Sequence, residues 1–566
     1  MIVYREDEET ADPVECIAKL IRRAAAIGDG ATEHDEIVSV LIDLGMLEAA
    51  VADAIFPEVD GECATILALR EASLTSARLL RHSCNGEPEL ARREARKLAA
   101  QLSQPMALPV KVHPRVPEGY AYYALFPETY LQAASQFART SSVGRAVCIG
   151  LRSIGTSLSA CVAAELEAQG WRVESITLRP RGHPFDRRPV LERELTNKLR
   201  MLRHADFLVV DEGPGLSGSS FAGTSSLLSD LGVPRDQICL FPSSLADPDG
   251  LVSAKAREVW VRHRKAHVSF EEGWLPHAHF GSDHVDVSGG AWRNVLGLAE
   301  PDWPAVDPRH ERRKYVVRGN DGKRVLHKFA GLGRYGANAY RRSCALAEAG
   351  FIPAVMGLRQ GFLQQELVRG RPLARGETAD RELIQTAQRY FAYLVREFPL
   401  PKPVRLEPLL AMMRVNIEEA LGDRASRIVD QLERQARGFG GVPAVAVDGR
   451  VLPHEWLRTD QGYLKTDAAD HHCDHFYPGA SDIAWDIAGF GVEFELPAAV
   501  VAELAVSVGG RFLAERLPFY RSAYLAFRLG YTSFSAQSLA GSADGERMRR
   551  EAEGYRAKLR ASLGEV

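Results

Sequence analysis

Apolar positions recur at three- and four-residue spacing through residues 1–104, the signature of amphipathic helices. The pattern predicts helices in the stretch from Cys16 to Ala24, from Ile37 to Leu44 and from Glu89 to Leu102. In the last of these the apolar set is Leu90, Ala91, Ala95, Leu98, Ala99 and Leu102, and the charged run Arg92–Lys97 is a solvated face. The texture changes from about 105, where short apolar runs alternate with helical stretches. Strands are predicted at 146–150, 172–178, 206–210 and 237–241, with helices at 157–169 and 219–231 between them. That alternation implies a parallel α/β sheet. Prolines at 301, 304 and 308 and a basic run at 309–314 mark a further edge. Beyond it the β-rich runs 315–318 and 324–329, separated by Gly319-Asn-Asp-Gly322, predict a hairpin, and a helix-rich remainder follows.

The expected organisation is therefore α/β and multidomain: a helical region (1–104), a parallel-sheet domain (105–300) and an α+β C-terminal domain (301–566). Of the 566 residues 46% are hydrophobic and 25% charged, which excludes a chain disordered throughout. The net charge of −4 offers no basic surface for nucleic acid. The apolar stretch 496–508 is too short and, with Glu503, too charged to span a bilayer. Eight scattered cysteines without a CxxC pair suit reduced thiols, and the acidic start of the chain shows no secretory leader. The expectation is a cytoplasmic protein acting on small molecules, without nucleic-acid or membrane partners; a homo-oligomer stays open.

The most informative segment is Phe207-Leu-Val-Val-Asp211-Glu212-Gly-Pro-Gly-Leu-Ser217-Gly218-Ser219-Ser220. An apolar strand ends in two carboxylates, and a loop rich in glycine and serine opens a helix. Glycines allow close backbone approach, and the unpaired N–H groups of a helix start favour an anion. A second strand–loop–helix, Ala146-Val-Cys-Ile-Gly-Leu-Arg152-Ser153-Ile-Gly155-Thr156, lies upstream, and a basic loop runs from Arg179 to Arg188 between the two.

These segments resemble the type I phosphoribosyltransferases, although the spacer from Glu212 to Ser217 is one residue longer than that family's pattern. The resemblance implies phosphoribosyl pyrophosphate as donor with Mg²⁺. Asp211 and Glu212 would hold the ribose hydroxyls, and Ser217, Gly218, Ser219 and Ser220 would grip the 5-phosphate. Arg152, Ser153, Gly155 and Thr156 would bind pyrophosphate, with Arg181 assisting its departure. Arg152 reads equally as a structural salt bridge, and the aromatic stretch 116–128 as core packing or a base-stacking wall.

Residues from about 313 to 530 resemble the aminoglycoside-phosphotransferase branch of the kinase-like fold. The hairpin strand ends in Lys328. The segment Gly361–Leu373, with Glu366, resembles the adenine hinge, and Asp467 takes the place of a metal-binding aspartate. The catalytic loop departs from the pattern. In Asp448-Gly-Arg450-Val-Leu-Pro-His-Glu455, arginine stands where a catalytic aspartate is expected, and an arginine cannot accept a proton. The resemblance implies nucleotide contacts at Lys328 and Glu366, a metal at Glu455 and Asp467, and possible use of ATP. The run Asp467–His475 also carries transition-metal ligand types in no standard zinc spacing. Three functions stay open at this stage: a phosphoribosyl transferase fused to a nucleotide-binding kinase-like domain, a non-catalytic sensor of phosphorylated ligands, and an aminoglycoside-type small-molecule kinase.

Overall fold

The computed structural model describes residues 1–566 apart from 6–8, 30–32, 216, 281–282, 319–321, 423–425, 440, 470 and 565–566. The tip of the predicted hairpin, Leu216 and Asp470 lie outside the described residues. Four helices open the chain: α1 (Pro13–Asp29), α2 (His34–Ile55), α3 (Ala64–Cys84) and α4 (Pro88–Leu102). Two short helices follow, α5 (Glu118–Ala121) and α6 (Pro127–Thr140).

The parallel sheet comes next. It contains β1 (Arg145–Leu151), β2 (Arg172–Leu178), β3 (Asp206–Val210), β4 (Ile238–Phe241) and β5 (Arg264–Lys265), in the order β2-β1-β3-β4-β5. Every pairing in it is parallel. β3 is buried along its whole length, as expected for a strand covered on both faces. On one face lies α7 (Gly155–Ala168), itself covered by α2, α3 and α6. Gly45 of α2 lies so near α7 that a β-carbon there would stand 2.8 Å from the Ser157 Cβ. The remaining crossovers are α8 (Arg193–Met201), α9 (Ser219–Asp230) and α10 (Ala254–Arg262).

The C-terminal half carries an antiparallel sheet of β6 (His284–Asp286), β7 (Lys314–Arg318), β8 (Arg324–Phe329), β9 (Val355–Arg359) and β10 (Phe362–Glu366), ordered β6-β7-β8-β10-β9. Because β6 precedes residue 300, this sheet begins ahead of the boundary expected at 301. A helical mass from Arg381 to Ser562 follows, and it includes a hairpin, Trp456–Thr459 paired with Gly462–Lys465.

The three regions share apolar packing. One continuous core runs from Ile17 and Leu98 of the helical region, through Phe126, Leu158 and Trp274, to Tyr315, Phe329 and Phe362 of the antiparallel sheet. Trp274 stacks on Phe126 at 4.1 Å and on Phe362 at 5.5 Å between ring centroids. The start of the chain crosses to the far half, where Val3 is buried in the C-terminal core and Ile2 exchanges two hydrogen bonds with Asn416 at 2.6 and 2.8 Å. The cysteines form no disulfide among the described residues. No helix among the described residues is long and apolar enough to cross a membrane.

This shared core makes a stability prediction. Trp274→Ala should cost about 3–5 kcal/mol, the usual penalty for truncating a large buried aromatic. In urea the loss should move one cooperative transition; a separate early transition for the C-terminal half would show that the aromatic bridge couples nothing.

Candidate functional site

β1 is flanked by β2 on one side and β3 on the other, so the chain reverses its direction of travel across the sheet there. Loops leaving the carboxyl ends of two such strands diverge and leave a crevice. Here the crevice is a cleft of about 1390 Å³, lined from the β1 end by Ser153 and Ile154 and from the β3 end by Asp211, Glu212 and Ser217.

Both loops are held in demanding conformations. Ser153 has φ of +118°, a strained value for a residue with a side chain. Gly155 cannot be replaced without disturbance, because a β-carbon there would lie 2.5 Å from the Val210 carbonyl oxygen. Gly218 caps α9 in the left-handed region at φ +61°, and no side chain caps that helix. The Ser220 and Phe221 amides, in the first turn, have no helical acceptor. Ser219 lies beside Ser217 (Oγ–Oγ 3.1 Å), but its hydroxyl donates to the Pro184 carbonyl at 2.7 Å. Ser217 and Ser220 line the cleft.

The carboxylate pair sits at the mouth of β3. The Tyr130 hydroxyl donates to the Asp211 carbonyl at 2.6 Å, and the Ser243 amide donates to the Glu212 carbonyl at 2.6 Å, which fixes the backbone. Burial pushes the Asp211 carboxyl up to about 7, against the opposing pull of Arg179 and Arg187. Burial, then Glu118 and Asp211, push Glu212 up to about 8, although its Oε2 accepts the Gly119 amide at 3.1 Å. Two acids held this close to neutrality at pH 7 are arranged to meet positive charge.

The arginines divide into two sets. Arg152 donates to Asp53 at 2.9 Å and lies 3.0 Å from Asp60; its side chain is almost wholly buried, so its main role is the salt bridge. Arg179 also pairs with Asp53, and its backbone amide donates to Asp60 at 2.8 Å. Arg181, the expected helper for pyrophosphate, is turned away from the cleft. Its guanidinium donates to Asp60 at 3.0 Å and to the Pro57 and Phe56 carbonyls at 2.9 and 2.7 Å. Arg187, from the same basic loop, lines the cleft instead and has no hydrogen-bond or ion-pair partner among the described residues. Thr156 is buried in the first turn of α7, with its hydroxyl oxygen unpartnered.

The second constellation lies in the C-terminal half. Lys328 pairs with Asp467, and Arg450 pairs with Glu455 and reaches Asp467 Oδ2 at 2.9 Å. Lys465, wholly buried, lies 3.0 Å from Glu455 and 3.3 Å from Asp448. His471 bridges Asp448 and Asp467 at 3.4 and 3.5 Å. The Asp486 carboxyl, accepting the Asp448 and Gly449 amides at 2.7 and 2.8 Å, is pushed up to about 7 by burial and by Asp448. Glu455, Asp467 and His471 bring their ligand atoms within 4.8 Å of one another, as a divalent ion would require. Those acids are already neutralised by Lys328, Arg450 and Lys465, so the donor set does not fit a further dication without displacing a cation.

The cavity beside this network measures only about 50 Å³, against roughly 300 Å³ or more for a small-molecule pocket. Asp307, Glu311 and Lys314 line it together with Arg528 and Met548. A nucleotide is too large for a space of this volume. Glu366, expected at an adenine hinge, is exposed at the end of β10 and lines neither cavity; its amide donates to the Ala354 carbonyl. The histidine-rich run is drawn apart: His471 joins the acidic network, whereas His475 lines the large cleft.

No family model matches the chain, and no curated protein matches it. Among solved structures, a choline/ethanolamine kinase family protein from Mesorhizobium loti is 19% identical, with 45% of this chain and 85% of that one covered at a TM-score of 0.32. Choline kinase LicA from Streptococcus pneumoniae is 14% identical, with 43% and 89% covered at 0.31. The GDP complex of aminoglycoside 2'-phosphotransferase-IIIa is 11% identical, with 45% and 92% covered at 0.32. Similarity at this level carries no conclusion about what this chain does.

Proposed function

We propose that the chain is a Mg²⁺-dependent transferase of the phosphoribosyltransferase kind, acting in the cleft at the ends of β1 and β3. The observation that carries this reading is the pairing of two amide-rich loops, one of them strained at Ser153, around two adjacent half-buried acids in a cleft large enough for two substrates. In this reading the first-turn amides of α9, with Ser217 and Ser220, take the 5-phosphate of phosphoribosyl pyrophosphate. The Ser153–Thr156 loop takes the pyrophosphate, flanked by Arg179 and Arg187. Asp211 and Glu212 accept hydrogen bonds from the ribose hydroxyls and stabilise positive charge growing at the anomeric carbon. That carbon exchanges its bond to pyrophosphate for a bond to the acceptor, and the acceptor's proton passes to solvent. This is electrostatic stabilisation by preorganised groups. Asp211 and Glu212, once ionised, would be the residues to hold a Mg²⁺ ion brought with the donor, and that ion would supply charge neutralisation for the leaving pyrophosphate.

A second reading, a small-molecule phosphotransferase, is favoured by one observation: Lys328, Asp467, Glu455 and His471 converge in the C-terminal half. It requires Arg450 and the segment at 305–314 to withdraw before a nucleotide or metal enters. With Arg450 in place, that half serves as a self-neutralised, non-catalytic partner of the transferase cleft.

Calorimetry with phosphoribosyl pyrophosphate and Mg²⁺ tests the first reading. Binding should be abolished in Asp211→Asn/Glu212→Gln, and pyrophosphate release with a competent acceptor should fall about 100-fold or more. Binding without any turnover across acceptors would point to a sensor. The acids must be ionised to accept the sugar hydroxyls, and they titrate near 7 and 8, so donor affinity should rise about tenfold or more from pH 6 to pH 8. A flat profile would place the donor elsewhere. For the C-terminal half, Arg450→Ala removes one of three cations from the network while Lys465 still holds Glu455 and Lys328 still holds Asp467, and should cost about 1–3 kcal/mol in chemical denaturation. ATP-dependent phosphoryl transfer by the unmodified protein, lost in Lys328→Ala, would instead establish the second reading.

A further inference from the structure

Part of the cleft wall comes from outside the parallel-sheet region. Tyr4 from the start of the chain and Arg309, His310, Arg313, His475 and Phe534 from the C-terminal half all line it. His310 also lines the small cavity, so the segment around it is a partition shared by the two sites. Residues of that segment divide between the two: Arg309 and Arg313 line the large cleft, whereas Glu311, Arg312 and Lys314 line the small cavity.

Tyr4 is the distinctive member. Its backbone bridges to Phe476, and its ring stacks on His475 at 5.1 Å and on Phe476 at 5.0 Å. Its edge meets Phe534 at 5.9 Å, and its hydroxyl lies 3.3 Å from His310 Nε2. The residue is nevertheless 41% exposed. An aromatic surface held rigid and left open in a cleft is a stacking platform.

Two guanidiniums line the same cleft with donors to spare, and Arg309 is near enough to Tyr4 to act on its hydroxyl. Arg309 spends Nε and one terminal nitrogen on Asp307, at 3.0 and 2.7 Å, and its other terminal nitrogen has no partner among the described residues. Arg313 uses one terminal nitrogen on Glu271 at 2.6 Å and lies over the Phe270 ring at 4.1 Å. Planar guanidiniums with unspent N–H groups suit phosphate or carboxylate oxygens. The cleft, at about 1390 Å³, exceeds the roughly 300–1000 Å³ of an ordinary small-ligand site, so a bound donor leaves room for more than a single ring.

We propose that this wall is the acceptor site and that it takes an aromatic anion of the nucleoside monophosphate class, with its ring on Tyr4 and its anionic group on Arg309 and Arg313. The proposal rests on the transferase reading above for the word acceptor, and on the wall's own geometry for the ligand. It gives the C-terminal half a task in the cleft: completing the second substrate's binding site.

The test is calorimetry on the full chain with Mg²⁺. Phosphoribosyl pyrophosphate is titrated alone, and then each of the four nucleoside 5′-monophosphates and their uncharged nucleosides. The monophosphates should bind about tenfold tighter than the nucleosides. Tyr4→Ala and Arg309→Ala should each weaken them about tenfold or more, while donor affinity holds within about twofold and Tyr4→Phe keeps the platform. Donor binding with no monophosphate binding, or monophosphate binding indifferent to both alanine variants, overturns the proposal and leaves the transferase reading standing. Monophosphate binding that depends on Tyr4 and Arg309 without any donor binding sustains the wall assignment and removes the transferase reading.

Discussion

The constraint on which the rest depends is the reversal of strand order at β1. Because β1 lies between β2 and β3, the loops that leave β1 and β3 part from one another and each runs directly into a helix. Two helix starts therefore border one crevice, and their first-turn amides have no partners within the helices. The close approach of Gly155 to Val210 and the strained Ser153 are consequences of packing these two turns side by side. Asp211 and Glu212 enter the same crevice because they follow β3 without a spacer, and burial there keeps them near neutrality.

Positive charge around the crevice is set by the helical region. Asp53 and Asp60 hold three guanidiniums, those of Arg152, Arg179 and Arg181, and leave the group one positive charge in excess. Breaking such a buried network exposes uncompensated charge, so the helices at the start of the chain are bound to the loops they support. The C-terminal half shows the opposite economy. Its cations and carboxylates cancel one another around Asp467, and its contribution to the large cleft comes through Arg309, Arg313 and His475, with Tyr4 from the start of the chain packed on His475.

Local features were legible in the sequence. β3 falls where its apolar run predicts it, because a strand buried on both faces needs an uninterrupted apolar stretch. β2 also falls at 172–178, but as an edge strand it is buried only over its last three residues and carries Glu174, Ser175 and Thr177 in its run. α3 was not legible: it packs against α2, α4 and α7, and it buries Thr65, Arg70, Ser73, Thr75 and Ser76 along with its apolar side chains, which erases any single stripe. β5 and β6, two and three residues long, carry too little pattern to register. In the basic loop, composition could not rank Arg181 against Arg187. What separates them is Asp60, far away in the chain, which captures one and not the other. The pairing of Arg450 with Glu455 and Asp467 was equally invisible, since the substitution in the loop announces a lost base but not a neutralised site.

Hydrogen exchange with phosphoribosyl pyrophosphate and Mg²⁺ tests the central claim most directly, because it reads the backbone amides themselves. The account predicts slower exchange concentrated in residues 152–157 and 217–222. Protection that instead gathers around Lys328 and Asp467, with those two loops unchanged, would contradict it.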